Sequence, residues 1–437
     1  MLSPSRTVEE LKALRELTGD ANGAQRVAFT EKWLAARAFL KDKLDALGIP
    51  YEMDPAGNLW ATLKGKSDTT LVIGGHLDSV PNGGWLDGCL NVLAGLEVLR
   101  DIQSRGTPDI TLKLVDWADE EGARFGRSLY GSSAFSGYFD VETMRKLKDR
   151  DGVPLEDALQ NVGITLSDAP KAKEGQQNIA AYLELHIEQG PVLEGMGLPL
   201  GAVLGTVGVE RHTITFKGQA AHSGSTPMNV RKDAFLAAGK MSQEIYEIAA
   251  RHNGVCTIGS CTTKPGIVTS VVEECTITLD QRHLDAEHLA AMWQEAQDAA
   301  RRFAEEGNVE VEFGYLWNIE PILFHPDLID ACAQAIQETA GVVHRLPSGP
   351  LHDAAEVARA GIPTVMLFVQ SLRGISHNKI EDTLEEHIEM SVTALGKLTD
   401  QVIGWVLNHA EGRGPSDQCD AGRPASTTSG QDRAESL

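Results

Sequence analysis

Apolar side chains recur at helical spacing in the first fifty residues, and short apolar runs follow them. Residues 7–47 carry apolar side chains three and four positions apart, which predicts two opening helices, the second ended by Gly48 and Pro50. Beyond them, strands are predicted at 58–64, 70–74, 110–117 and 179–186, and a helix at 91–105. This alternation is typical of an α/β unit with a mixed, mostly parallel sheet flanked by helices.

A glycine- and valine-rich stretch at 201–209 leads into a strand pattern of a different kind. From there to Pro321 the pattern predicts a smaller α+β unit inserted into the first one. Its strands are predicted at 213–217, 266–272, 275–280 and 308–317, and its helices at 233–252 and 286–306. After Pro321 the α/β alternation resumes with a helix at 327–340, a strand at 364–368 and a helix at 385–407.

The predicted catalytic domain is therefore discontinuous. We expect it to comprise 1–209 and 325–410, with the insert at 210–324 between them. The remaining segment, 411–437, is rich in Gly, Ser, Thr, Pro and Asp and is predicted to be a disordered tail.

Composition narrows the choice of partners. The chain of 437 residues has a mean hydropathy of -0.18 and lacks the run of ~20 apolar residues that a membrane span needs. Its first twenty residues are polar, unlike a secretory signal, so a cytoplasmic location is expected. A net charge of -23 opposes binding to nucleic acid or anionic lipid, and six irregularly spaced cysteines predict reduced thiols.

Candidate metal ligands follow the predicted strands. In residues 74–88, GGHLDSVPNGGWLDG, His76 can ligate one ion, while the two oxygens of Asp87 can bridge two ions ~3.5 to 4 Å apart. Asp78 would not bind the ion itself but would orient the His76 ring that does. A lone His-x-Asp sequence is more often only a polar turn. The metal-site interpretation therefore depends on finding companion ligand segments elsewhere in the chain.

Three further segments supply such companions. Glu120 and Glu121 end an apolar strand, where two carboxylates are costly unless cations neutralise them; one would ligate and the other act as general base. His186 ends another strand, with Gln189 facing substrate, and His377 lies in a glycine-containing loop. A solvated acidic loop and a core histidine are the alternatives for the glutamates and His186 taken alone.

Together these segments resemble the amidase, hydantoinase and carbamoylase family of dinuclear metallohydrolases, which includes L-carbamoylases, allantoate amidohydrolases and β-ureidopropionases. The resemblance covers residues 7–409. Its specific motifs are HLDSVPNGG, EEGARF, HIEQGPVLE, HSGSTPMNVRKDA and GISHN. It implies that the insert is a lid and dimerisation domain, that the protein is a homodimer, and that each subunit uses two divalent ions, Zn or else Mn, Co or Ni.

The resemblance also implies a role for each matching residue. His76, Asp87 and His186 would bind one ion, and Asp87, Glu121 and His377 the other. Glu120 becomes the general base, and His222 reaches across the dimer interface to stabilise the developing oxyanion. Arg282 binds the substrate carboxylate. For His222 the alternative is a surface polar residue, and for Arg282 a strand-edge ion pair with Asp280.

The substrate-binding segments depart from the family pattern. Thr269 stands where an Asn usually helps to hold the substrate carboxylate, and the usual Ser-Gly-Ala-Gly-His-Asp is here Ser-Gly-Pro-Leu-His-Asp, which ends at His352 and Asp353. Asn91 replaces the last glycine of a Gly-x-x-Gly turn. The resemblance thus implies intact metal chemistry and an altered substrate pocket formed by Gln189, Thr269, Arg282 and His352.

The ligand pattern predicts a metal-dependent hydrolase, and the resemblance implies that it cleaves a linear amide C–N bond, most specifically in an N-carbamoyl acid, with release of ammonia and CO₂. The alternative enzyme is an aminoacylase or dipeptidase-like hydrolase of an N-acyl amino acid or another amide, which would release no ammonia. A binding protein that retains the fold without catalysis is a third possibility, opposed by the presence of Glu120 together with every ligand.

Overall fold

The computed structural model describes residues 1–412 of the chain. The last helix continues to Gly412, two residues into the segment predicted as a tail, and the rest of that segment lies outside the described residues.

Helices and strands alternate along the described chain. The helices are α1 Pro4–Thr18, α2 Glu31–Leu47, α3 Cys89–Ser104, α4 Tyr130–Ser136, α5 Val141–Arg145, α6 Leu155–Asn161, α7 Val192–Met196, α8 Ala234–His252, α9 Ala286–Gly307, α10 Pro326–Ala340, α11 Asp353–Arg359 and α12 Glu385–Gly412. The strands are β1 Gly19–Asp20, β2 Gly23–Ala24, β3 Tyr51–Met53, β4 Leu59–Leu63, β5 Thr70–His76, β6 Thr111–Trp117, β7 Ile179–Ile187, β8 Leu200–Thr206, β9 Gly208–Lys217, β10 Val255–Lys264, β11 Glu274–His283, β12 Glu310–Ile319, β13 Ile322–Leu323, β14 Arg345–Ser348 and β15 Thr364–Val369.

A mixed sheet organises the larger part of the molecule. Its strand order is β13-β8-β15-β7-β5-β6-β4-β3, with β14 beside β8. The four central strands β15, β7, β5 and β6 run parallel, whereas β3, β4 and β13 join by antiparallel pairing. Every residue of β5 is buried, as expected for a central parallel strand, and α3, α10, α11 and α12 pack against the sheet. The predicted α/β class is confirmed.

A second sheet has its own hydrophobic core. Its antiparallel order is β10-β11-β9-β12, so its strands come from 208–319 alone. The long helices α8 and α9 cover it with apolar faces that include Met241, Ile245 and Met292. Asp233 and Asp285 begin these helices, because their carboxylates accept hydrogen bonds from the backbone N–H groups of Phe235 and His288. This sheet accounts for the change of pattern that the sequence shows after 209.

The strand predicted at 266–272 is wrong. These residues form the loop between β10 and β11, while β10 itself, at 255–264, carries no clear apolar alternation. Pro265 has no N–H group to donate to a ladder, and Gly266 adopts a positive φ of 70°. Two of the β-branched residues that suggested a strand stay outside the core, with Ile267 59% and Val268 98% exposed.

A buried ion pair fixes the helix layer to the central strands. Arg37 of α2 donates to the Asp116 carboxylate of β6 at 2.7 Å and to the carbonyl of Gly57 at 2.6 Å. The second oxygen of Asp116 accepts a hydrogen bond from the backbone of Leu77, directly after β5. The Asp116 carboxylate therefore holds the end of β5 in place.

The described helices include none with the length and apolar character of a membrane span.

Candidate metal centre and active site

The parallel strands deliver their polar ends to one edge of the large sheet. His76 is the last residue of β5 and pairs with Trp117 of β6, so Glu120 and Glu121 follow directly beside it. His186 lies near the end of β7, opposite Phe368 of β15. Ligand groups gather at the carboxyl ends of such strands, and here Glu120, Glu121 and His186 line one cleft of about 530 Å³, with the His76 ring behind them.

One group of three potential ligands is fully buried. His76, Asp87 and His186 each bring a ligand atom within 4.8 Å of the other two. The distance from His186 Nε2 to Asp87 Oδ1 is 3.1 Å, and that from His76 Nε2 to the same oxygen is 3.7 Å. These are the three residues that the family resemblance implies around a single ion.

A second group shares Asp87. His377 Nε2 lies 3.2 Å from Glu121 Oε2 and 3.5 Å from Asp87 Oδ2. The two oxygens of Asp87 therefore face two different ligand groups, which is the arrangement expected of a carboxylate that bridges two ions. His377 has a positive φ of 54°, a conformation that few residues other than glycine adopt, and its side chain lines the cleft.

The donor set fits divalent cations. His76 Nε2 is buried and has no hydrogen-bond partner among the described residues, while its Nδ1 lies 3.2 Å from the carbonyl oxygen of Asp78. His186 Nδ1 likewise lies 2.9 Å from the carbonyl of Ile187, so each ring presents Nε2 to the cleft. Imidazole nitrogens fixed in this way, together with carboxylates, are typical ligands of zinc and its neighbours.

The raised pKa values of the buried carboxylates also favour bound cations at this site. Burial raises the pKa of Glu120 well above its usual range, and the carboxylates of Asp353 and Glu121 raise it further against the opposing charge of His76. Burial also raises the pKa of Glu121, with the Asp87 carboxylate adding to it. Within the part of the chain that the structure describes, the ion pairs of Asp87, Glu120 and Glu121 are with histidine rings. Several buried carboxylates whose ion pairs are only with histidines are costly, and bound cations would remove that cost.

Asp78 holds the two glutamates. Its carboxylate accepts hydrogen bonds from the backbone N–H groups of Glu120, at 3.2 Å, and of Glu121, at 3.1 Å. Its Oδ1 lies 3.5 Å from His76 Nδ1. The carboxylate predicted to orient His76 thus also positions the strand end that carries Glu120 and Glu121.

Three of the four predicted substrate residues line the same cleft. Gln189 donates to Asp87 Oδ2 at 2.9 Å, and Arg282 lies across the cleft on β11, paired with Asp280 at 2.8 Å. The buried ring of His352 packs on His186 with centroids 4.4 Å apart. Burial and the neighbouring His186 lower the pKa of His352 well below its usual value.

His222 and Thr269 are not at this cleft. Both are exposed in the smaller unit and neither lines the cleft among the residues described. His222 Nδ1 accepts hydrogen bonds from the backbone of Gly224 and Ser225, and the carbonyl of Thr269 accepts one from Ser223. A single copy of the chain therefore does not bring His222 to the candidate metal ligands, and both roles stay predictions.

Several residues at the site were missed from the sequence. Glu381 accepts hydrogen bonds from the backbone of Leu86 and Asp87, both at 3.1 Å, and from Ser376 at 3.0 Å. Glu381 lies only four residues after His377, and this closeness to a candidate ligand could have identified it from the sequence. Arg211 also lines the cleft beside Trp317, but only the pairing of β9 with β12 brings these two together, and no local pattern shows that.

The chain matches the model of peptidase family M20/M25/M40 over residues 72–401. It belongs to this family. Among its relatives, N-carbamoyl-L-amino acid amidohydrolase of Geobacillus stearothermophilus is 33% identical over 400 residues, covering 90% of this chain and 97% of that protein. Allantoate amidohydrolase of Escherichia coli K12 is 33% identical over 368 residues, covering 83% and 89%.

Structural similarity agrees with this assignment. The crystal structure of an amidase of the hydantoinase/carbamoylase family from Burkholderia multivorans has a TM-score of 0.82 and 32% identity, covering 91% of this chain and 97% of that one. The predicted family and hydrolase class are confirmed, and membership of the M20 family together with the two ligand groups supports the use of divalent metal.

Proposed function

We propose that this M20 family member hydrolyses the linear amide C–N bond of an N-carbamoyl acid and releases ammonia and CO₂. The observation that carries the proposal is the pair of ligand groups sharing Asp87, with Glu120 beside them and Arg282 across the same cleft. The named activities of the two curated relatives support it, because both act on ureido compounds.

Two divalent ions per subunit, Zn or else Mn, Co or Ni, are part of the proposal. His76, Asp87 and His186 would hold one ion, and Asp87, Glu121 and His377 the other. When bound, such ions polarise a carbonyl oxygen and lower the pKa of a water molecule.

Glu120 serves as the general base. Its carboxylate lies 3.8 Å from His76 Nε2 at the wall of the cleft, 8% exposed, and its backbone is fixed by Asp78. It accepts a proton from the attacking water as the oxygen bonds to the carbamoyl carbon, and it returns the proton to the departing nitrogen as the C–N bond breaks. The products are ammonia and an N-carboxy acid, which loses CO₂ to leave the free amine.

Substrate binding is assigned to residues on both sides of the cleft. Arg282 binds the carboxylate of the acid, and Gln189 and His352 contact the carbamoyl end near the ligand groups. Thr269 takes the place of the usual Asn in a loop that this chain alone does not bring to the cleft, so its contribution depends on a second subunit.

A homodimer completes the site, with His222 of one subunit stabilising the oxyanion in the other. Support comes from the surface around His222, where four large apolar side chains stand in solvent. They are Met228 (75% exposed), Val230 (61%), Ile267 (59%) and Val268 (98%). An exposed apolar surface of this kind favours association with a partner.

Ammonia release tests the function. Protein reconstituted with Zn²⁺, Mn²⁺, Co²⁺ or Ni²⁺ would be assayed with N-carbamoyl amino acids, allantoate, N-acetyl amino acids and dipeptides. We expect ammonia from ureido acids alone, and its loss after chelation. Turnover confined to N-acetyl amino acids or dipeptides would establish the aminoacylase or dipeptidase alternative and end the carbamoyl assignment.

A further inference from the structure

A second cavity adjoins the cleft at the wall that carries Arg282. It has a volume of about 440 Å³. The two cavities share five lining residues, which are Gln189, Val207, Arg282, Gly349 and Pro350. We call this second cavity the side chamber. A molecule bound in the cleft with a group against Arg282 therefore lies at its entrance.

The lining of the side chamber is largely apolar. Beyond its shared wall it presents Val192, Val255, Leu284, Leu346 and Phe368. Val192 is 46% and Val255 60% exposed, so both have apolar surface that a ligand could cover. Two apolar side chains held open to solvent beside a cleft are a site where an apolar group gains from burial.

Two charged side chains in the lining of the chamber, Glu188 and Arg345, already have hydrogen-bond partners. The carboxylate of Glu188 accepts hydrogen bonds from the backbone of Val192 at 2.7 Å and of Leu193 at 3.0 Å. Arg345 pairs with Asp330 at 2.7 Å on the surface. A second carboxylate or ammonium group entering the chamber would lose water without finding a free partner of opposite charge in these two residues, which disfavours a charged occupant.

We propose that the side chamber receives an apolar side chain on the acid half of the substrate. Arg282 Nη1 lies 3.4 Å from the carbonyl of Gly349 on the boundary between the two cavities. With the substrate carboxylate on this guanidinium and the carbamoyl group near Glu120, the substituent on the carbon next to the carboxylate points into the chamber. The inference rests on the proposed function and narrows its substrate to N-carbamoyl amino acids with branched aliphatic or aromatic side chains.

Pro350 and Leu351, which depart from the family pattern, lie at the boundary between the cleft and the side chamber. Pro350 lines both cavities, and Leu351 lines the cleft next to it. A ring and a branched side chain there extend the apolar surface from the chamber toward the substrate. The second ureido group of allantoate would have to lie against this surface, so we expect allantoate to be a poor substrate.

A substrate series tests the proposal. Ammonia release would give kcat/KM for the N-carbamoyl derivatives of glycine, alanine, leucine, phenylalanine and aspartate, and for allantoate. We expect the leucine compound to exceed the glycine compound by about 10- to 200-fold, the range that a filled apolar pocket provides. A ratio near one, or a preference for aspartate or allantoate, would overturn the side chamber while leaving the carbamoyl activity in place.

Variants link the ratio to the chamber. Val207→Thr keeps the shape of the side chain and adds a hydroxyl, so we expect the leucine-to-glycine ratio of kcat/KM to fall by about tenfold. Leu284→Trp fills the space of the chamber, so we expect it to lower kcat/KM most for the phenylalanine compound. Val342→Thr, at an exposed position outside both cavities, is the matched control and keeps the ratio. An unchanged ratio in both chamber variants contradicts the proposal. Absence of ammonia from every ureido compound would instead refute the function on which it rests.

Discussion

At the residue scale, two adjacent carboxylates, those of Glu120 and Glu121, contact different histidines and are proposed to have different roles. Glu120 and Glu121 are adjacent, and Asp78 accepts a hydrogen bond from the N–H of each. This fixes their side chains on two sides of the strand end. Glu121 meets His377 at 3.2 Å, whereas Glu120 faces His76 at 3.8 Å. The proposed division between ligand and base follows from those two positions.

Glu120→Gln should remove activity without removing the site. The amide retains the size of the side chain but cannot take a proton, so we expect kcat to fall by about 10²- to 10⁴-fold, the contribution typical of a general base. Metal content, measured on the purified variant, should stay that of the parent protein. Glu142→Gln, on the surface, serves as the matched control. Parental activity in Glu120→Gln would rule out its role as base.

The ligands themselves could be predicted from the sequence because each follows an apolar run that becomes a buried strand. Their division into two groups came from the family resemblance, and the structure brings together the same two sets, which share Asp87 and are completed by His76 with His186 and by Glu121 with His377. Residues that reach the site from the smaller sheet gave no such signal, since their approach depends on pairing between distant strands. Arg282 was found only through the family resemblance, and Arg211 not at all.

At the element scale, two loops far apart in the chain are joined at the candidate metal centre. The hydroxyl oxygen of Ser376 lies 2.9 Å from Asp87 Oδ2 and 3.0 Å from Glu381 Oε2, within hydrogen-bond distance of both carboxylates, and Glu381 also accepts from the backbone of Asp87. The loop after β5 and the loop after β15 are thereby held together. Glu381 is a positioning residue, because it acts on the site through Asp87 and Ser376.

Glu381→Ala should weaken metal retention more than it weakens the fold. It leaves the N–H groups of Leu86 and Asp87 unpaired, and loss of such an outer partner costs about 10- to 100-fold in metal affinity. Competition with a chelator would measure that affinity, and excess metal should restore part of the activity. Glu386→Ala, at an exposed position nearby, is the control. Equal metal affinity in both variants would count against the positioning role.

Long elements with clear periodicity were predictable, and edge elements were not. The helices α8 and α9 and the central strands match their predictions closely because burial imposes the pattern. β10 is an edge strand with mostly exposed side chains, so pairing with β11 defines it and periodicity does not. The wrong strand at 266–272 shows the reverse case, in which β-branched residues occupy a loop beginning at Pro265.

At the scale of the whole molecule, the position of His222 makes a second subunit part of the proposed mechanism. Its exposed loop lies outside the cleft of its own chain, next to the exposed Ile267 and Val268. The large sheet and the smaller one were both foreseeable from their patterns, since each has its own core. The surface expected to meet a partner came only from the family resemblance, because association leaves no periodic signal along the sequence.

Mixed dimers would test this arrangement directly. A dimer of one Glu120→Gln subunit and one His222→Ala subunit retains one complete site, so we expect about half of the parental activity from a two-fold symmetric pair. Both changes placed in one subunit, paired with an unaltered one, should leave almost none. The tagged dimers would be purified and assayed for ammonia release. If His222 acts within its own chain, the two results exchange places.

The shared carboxylate of Asp87 has a consequence for biosynthesis. Ser376, beside His377, follows Asp87 by 289 positions, so both ligand groups cannot coexist until nearly all of the described chain has been made. Domains ordinarily begin to fold while the ribosome is still adding residues. With the two ions proposed for each subunit, the nascent protein would acquire both only after translation is almost finished, and fragments from prematurely terminated messages would lack the residues that hold the second ion.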